Sequence, residues 1–277
     1  MDFLHAWIIP PEAHPGVAPW VYILSALAAT MMVAASKGGF GGGAGVLSVP
    51  LLLQVASLRF VIGMWLPILV ICDLITVGNY PKSWSWVVVR QLIPGLVVGI
   101  LLAHWVLWLT ANSSPAEMKR FEASLKLLIG LMSLGFLGLG FLRRNVSETP
   151  WTPTWSISTP TGFLIGVTTT FAHAAGPVAT MYMLPQKLEQ RVFVGTMGWT
   201  FLVVNVAKLP LSVLSDVLSR HELKYALWMM AISPVGVWLG VYLNRRVSQK
   251  AFLSVIWVFL SIAGCKLIFD GVRGLSS

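Results

Sequence analysis

Lys37-Gly-Gly-Phe-Gly-Gly-Gly-Ala-Gly45 lies inside an apolar run that extends from about Val17 to Val55. A run of that length is membrane-spanning material, since a helix needs roughly 17–25 apolar residues to cross the hydrocarbon core. Glycines in series undo a helix. A lysine at a helix centre costs roughly 2.5–3.5 kcal/mol on insertion scales. The stretch therefore reads as a helix broken at membrane depth, with a cation at the break. Backbone groups freed there are tolerated only when packed in protein or lining a wet cavity.

Working outward, a second interrupted segment runs from about Pro160 to Leu184 and breaks at His173-Ala-Ala-Gly-Pro177. Uninterrupted spans are expected near residues 60–80, 86–109, 123–142, 191–213, 223–243 and 251–270. The same signals recur in the same order. Arg59-Phe-Val-Ile-Gly63 follows the first break and Arg191-Val-Phe-Val-Gly195 follows the second. The next span carries Pro94, Gly95 and Gly99 in one half and Pro234, Gly236 and Gly240 in the other. Each half closes with a basic loop and a span starting near Phe121 or Phe252.

The expected fold is all-α and integral to the membrane, with about eight transmembrane segments in two homologous repeats, each opening with a Gly/Pro-interrupted helix. The parts are an N-terminal extramembrane segment (1–16), repeat 1 (17–142), a connecting loop (143–159) and repeat 2 (160–277). Broken segments at matching places are the arrangement expected of a secondary transporter. If they are re-entrant rather than crossing, the halves are inverted. Eight crossings with the N-terminus outside put Arg59, Lys119, Arg120, Lys187, Arg191, Arg245, Arg246 and Lys250 inside. The re-entrant alternative gives essentially no charge bias, so eight crossings are preferred.

Composition agrees. Of the 277 residues 56% are hydrophobic and 10% charged, with thirteen tryptophans; a soluble domain carries roughly a quarter charged residues. The net charge of +9 falls mainly in short loops, where it serves topology and lipid headgroups rather than nucleic acid. Cys72 and Cys265 sit in apolar runs and make no disulfide framework. Met1 to Pro19 lacks Lys and Arg, so no cleavable leader is expected. There is no phosphate-binding loop, no metal-ligand cluster and no nucleophile elbow, so neither an enzyme nor a cofactor is expected.

The chemistry-bearing residues gather at the breaks and on one span. Lys37 precedes glycines that allow close backbone approach, and a helix restarting near Ala44 would aim free N–H groups at the break. Thr168, Thr169, Thr170 and His173 precede Gly176-Pro177; the hydroxyls satisfy freed carbonyls or donate to a ligand. Asn205 and Lys208, three apart, share a helical face. Counted from the Arg-xxx-Gly motif, Asp73 and Thr76 occupy the same positions in the first half. Asp73 carries a coupling proton or only neutralises Lys37 or Lys208. The three charges leave one net positive, which favours an anionic solute.

Lys37 through Pro50, Ala174-Ala-Gly-Pro177 through Leu184-Pro185, Arg191-Val-Phe-Val-Gly-Thr196, Asn205-Val-Ala-Lys-Leu-Pro210 and Pro234 through Gly240 together resemble the sulfite exporter TauE/SafE family. The resemblance implies a multi-pass permease of the bacterial inner membrane. It implies secondary transport of sulfite, sulfoacetate or other organosulfonates, with proton coupling through Asp73 or His173 open. Carried onto this chain, it implies a site of Lys37, Gly38, Gly39, Gly41, Gly42 and Gly43 from one half. Gly176, Pro177, Asn205 and Lys208 would come from the other, with Thr170 beside them. The chain departs from the family at His173-Ala174, where Ala-Asn is expected, which leaves the solute open. A carboxylate or cation transporter and an anion channel are the alternatives. The expected partners are a small anion and membrane lipid, with a homodimer as a candidate assembly.

Overall fold

The computed structural model describes residues 8–42, 45, 48–109, 151–173 and 175–276, with further helical positions between 117 and 138. The order is α1 (Pro19–Phe40), α2 (Ser48–Leu52), α3 (Leu58–Asn79), α4 (Trp86–Leu109), α5 (Trp155–Ala172) and α6 (Ala175–Met183). After a 3-10 turn at Leu184–Gln186 come α7 (Gln190–Leu214), α8 (Arg220–Arg246) and α9 (Gln249–Ser276). No strand occurs among the described residues. Helices α1, α3, α4, α7 and α8 are long and apolar enough to cross a membrane. The expected spans at 60–80, 86–109, 191–213 and 223–243 coincide with α3, α4, α7 and α8 within a few residues. Much of the expected 123–142 span and residues 143–150 of the connecting loop lie outside the described residues.

Large apolar side chains cover the outside, and charged ones are held inside an otherwise largely apolar interior. Trp105, Trp108, Leu214 and Trp238 are exposed, while Lys37, Asp73, Thr200 and Lys208 are buried. Lipid as the solvent for the outer surface accounts for that inversion.

Both breaks are present, and each is closed by a left-handed residue. Helix α1 starts with proline at its first turn and ends at Gly41 (φ 69°), whose N–H bonds Ser36 O. Gly42 follows at φ 80°, its N–H 3.0 Å from the same carbonyl. Helix α5 ends at His173 (φ 47°), whose N–H reaches Thr168 O and Thr169 O. Glycine adopts this conformation freely, and histidine is among the residues that tolerate it. The restart expected near Ala44 falls on residues 43, 44, 46 and 47, which lie outside the described residues. Gly45 has 3-10 conformation, its N–H bonding Gly42 O at 3.0 Å, and the five-residue α2 spans Ser48–Leu52.

Two helix pairs pack backbone to backbone. Helix α1 lies on α8, where an added Cβ at Gly38 would run into Val237 O and one at Gly240 into Ala35 O. Helix α4 lies on α5, where a Cβ at Gly99 would meet Phe163 O and one at Gly162 would meet Leu92 O. Small residues permit such approaches, which hold helices together in lipid. Helix α3 packs between α8 and α7, and α7 also contacts α4, so α3 and α7 form the centre. The segment before α1 is pinned to the same assembly: Glu12 pairs with His221 at 2.9 Å and Glu12 O accepts Ser57 N–H.

Replacing Gly99 by leucine is expected to lower stability by about 3 kcal/mol or to prevent assembly, because the obstacle is backbone. Gly78→Ala, at a position with nothing within 4 Å, is expected to be neutral or stabilising by up to about 1 kcal/mol. Melting in detergent checks both.

Candidate functional site

Helix α1 delivers Lys37 into the interior one turn before its left-handed cap. Its Nζ donates to Asp73 Oδ1 of α3 at 2.5 Å and lies 4.4 Å from the centroid of the Phe201 ring. Asn205 Nδ2 of α7 donates to Asp73 Oδ2 at 2.7 Å. The carboxylate thus has one partner on each oxygen, and all three side chains are buried. Such a pair survives in a low-dielectric interior only with good geometry and its remaining lone pairs bonded. Asp73 and Asn205, equivalent by count from the two Arg-xxx-Gly motifs, meet directly.

Lys208, one helical turn beyond Asn205, is differently placed. Its Nζ donates to Thr169 O at 3.1 Å and Thr169 Oγ1 at 3.0 Å. It is 2% exposed. Among the described residues no carboxylate lies within ion-pair distance of it, and its hydrogen bonds go to Thr169.

A small, partly open cavity lies between these groups. Its polar wall is Lys37, Thr169, His173 and Asn205. The two breaks contribute Gly42, Gly45, Ala175 and Gly176, and the apolar wall includes Trp65, Leu69 and Phe201. The start of the nine-residue α6 is therefore at the cavity, where a helix's free N–H groups favour negative charge. No three His, Cys, Asp or Glu side chains gather to hold a metal among the described residues.

Of the expected site residues, Lys37, Gly42, His173, Gly176 and Asn205 come together on this wall, with Asp73 and Lys208 directly behind it. Others lie elsewhere. Gly38 and Gly39 pack against α8, and their carbonyls accept from Tyr80 Oη at 2.6 Å and Asn244 Nδ2 at 2.7 Å. Gly41 lies against Phe193 and Met197. Thr170 Oγ1 returns to Gly166 O at 2.8 Å. Pro177 is buried in the first turn of α6. Gly43 lies outside the described residues.

Trp65, Leu69 and Phe201 are lining residues absent from the sequence-based site, and the sequence singles out Thr169 only as one of three threonines. Leu69 and Phe201 each stand four residues before the Asp73 and Asn205 positions, so helical phase was a usable signal for both. The three consecutive threonines carry no such signal, because nothing in the sequence says which one meets Lys208.

Asp73→Asn is expected to cost about 3–5 kcal/mol, because it leaves the buried Lys37 ammonium without its counter-charge. Adding Lys37→Met is expected to recover most of that loss. A denaturant or thermal melt of the two variants measures it.

The family model described as Sulfite exporter TauE/SafE matches residues 26–267. No curated protein and no solved structure matches the chain. The matched range takes in both breaks and every residue that lines the cavity, and the chain belongs to the sulfite exporter TauE/SafE family, a family of integral membrane transporters.

Proposed function

We propose that this protein is a secondary transporter of small sulfur-containing anions, sulfite or an organosulfonate, in the bacterial inner membrane. The observation that carries the reading is the charge balance around one buried cavity. Lys37 is neutralised by Asp73 at 2.5 Å, while Lys208 has only the carbonyl and hydroxyl of Thr169. One positive charge is left over, beside a cavity that two helix breaks line with backbone. An entering anion supplies the missing counter-charge and replaces part of its hydration shell with the groups at the breaks. A cation held by Asp73 is the weaker reading, since both carboxylate oxygens already accept from the protein.

The architecture proposed is two repeats with about eight membrane segments. The packing is consistent with a twofold arrangement, because the first helix of each half lies on the fourth helix of the other (α1 on α8, α5 on α4). Those glycine-lined pairs join the halves too closely for one half to swing as a body. Alternating access is then motion of α1 with α8 against α4 with α5, across the central α3 and α7. A proton coupled to transport has Asp73 and His173 as its candidate carriers. The proposed partners are the small anion and lipid, and a homodimer is a candidate assembly.

Purified protein is expected to melt at a higher temperature with sulfite or a sulfonate than with sulfate, acetate, citrate or divalent cations at matched ionic strength. At a hundred times the dissociation constant the stabilisation is about 2.7 kcal/mol. A shift with carboxylates or cations alone overturns the sulfur assignment. Lys208→Met is expected to reduce sulfite flux into proteoliposomes by at least about tenfold, the effect of losing roughly 1.4 kcal/mol of interaction; unchanged flux removes Lys208 from the site.

A further inference from the structure

Two buried acceptor atoms, on residues of the cavity wall, have no hydrogen-bond partner among the described residues: Asn205 Oδ1 and His173 Nδ1. Both residues line the cavity, and Asn205 is 2% exposed. Their opposite ends fix their orientations. Asn205 Nδ2 donates to Asp73 Oδ2 at 2.7 Å. A carboxylate only accepts, so turning the amide round would set two acceptors face to face. His173 Nε2 lies 3.3 Å from Ile62 O, another pure acceptor. That contact puts the proton of the neutral ring on Nε2 and the lone pair on Nδ1. Buried acceptors are normally bonded, and those that are not call for an explanation.

An ion that offers only oxygen lone pairs, such as sulfate or a simple alkylsulfonate, would meet these two atoms with like charge. We propose that the solute carries a hydrogen-bond donor of its own beside its anionic group. Asn205 Oδ1 and His173 Nδ1 receive the donor, while the anionic end faces the ammonium groups and the start of α6. Hydrogen sulfite presents such a donor as its O–H, and a hydroxy- or amino-substituted sulfonate presents one on its carbon chain. This inference rests on the cavity being the solute site, and it narrows the solutes that the site accepts.

The test keeps the protein intact and varies the ligand. Titration calorimetry on the purified full chain, at one pH, compares ethanesulfonate, 2-hydroxyethanesulfonate and 2-aminoethanesulfonate. They share a sulfonate and a two-carbon chain and differ in the donor. At least one donor-bearing compound is expected to bind about tenfold or more tightly than ethanesulfonate, because the donor-free ion leaves buried acceptors unpaired. A gain for the hydroxyl compound alone identifies a neutral donor, and a gain for the amino compound alone a charged one. Equal affinities for all three overturn the inference while leaving the sulfonate site standing. No binding of any, with binding of a carboxylate or a cation, overturns the reading of the site and the inference with it. His173→Gly suits the left-handed position at φ 47° and removes one acceptor. It is expected to shrink the donor preference by at least about threefold; an undiminished preference overturns the assignment to this pair of atoms.

Discussion

Lys37, Asp73 and Asn205 form a chain of polar side chains in an interior that is otherwise largely apolar, and the arrangement of the central helices follows from it. An ammonium and a carboxylate taken out of water each lose several kcal/mol of solvation. They can stay buried only if α1, α3 and α7 hold the three groups at bonding distance together. Lys37 belongs to the first half of the chain and Asn205 to the second, so the constraint also fixes how the halves meet. Phe201, one turn before Asn205, places its ring under the same ammonium. Lys208 stands outside this closed set, and the two breaks face the space beside it.

Several of the backbone groups released at the breaks are recaptured nearby among the described residues. The carbonyls of Gly38 and Gly39 are taken by Tyr80 and Asn244. Gly42 N–H turns back to Ser36 O. At the second break Thr168 and Thr170 return their hydroxyls to carbonyls one turn earlier. Thr169 instead offers carbonyl and hydroxyl together to Lys208. One threonine in a run of three therefore joins the broken helix to the charge, and its neighbours serve the helix itself.

Much of this was legible in the residues. Hydropathy marks four of the long helices to within a few residues, because lipid demands uninterrupted apolar length. Lysine beside glycines marks the first break, and the count from Arg59 and Arg191 pairs Asp73 with Asn205. The roles of Gly38 and Gly39 were not legible. Close approach of a ligand and close approach of a helix ask for the same missing side chain, and only the position of α8 separates them. Of the apolar wall, Trp65 reads as ordinary membrane-facing sequence until the helices are assembled, whereas Leu69 and Phe201 share the helical phase of Asp73 and Asn205.

The packing of α1 against α8 also bears on how the protein is made. Asn244, which bonds the Gly39 carbonyl, is 205 residues further along the chain. A ribosome adding 5–20 residues per second needs roughly 10–40 seconds to make that length. Throughout that interval α1 holds a glycine-lined face and the Gly39 carbonyl with their eventual neighbour, α8, not yet synthesised. A helix made early in this chain is thus seated late, once α8 has been made.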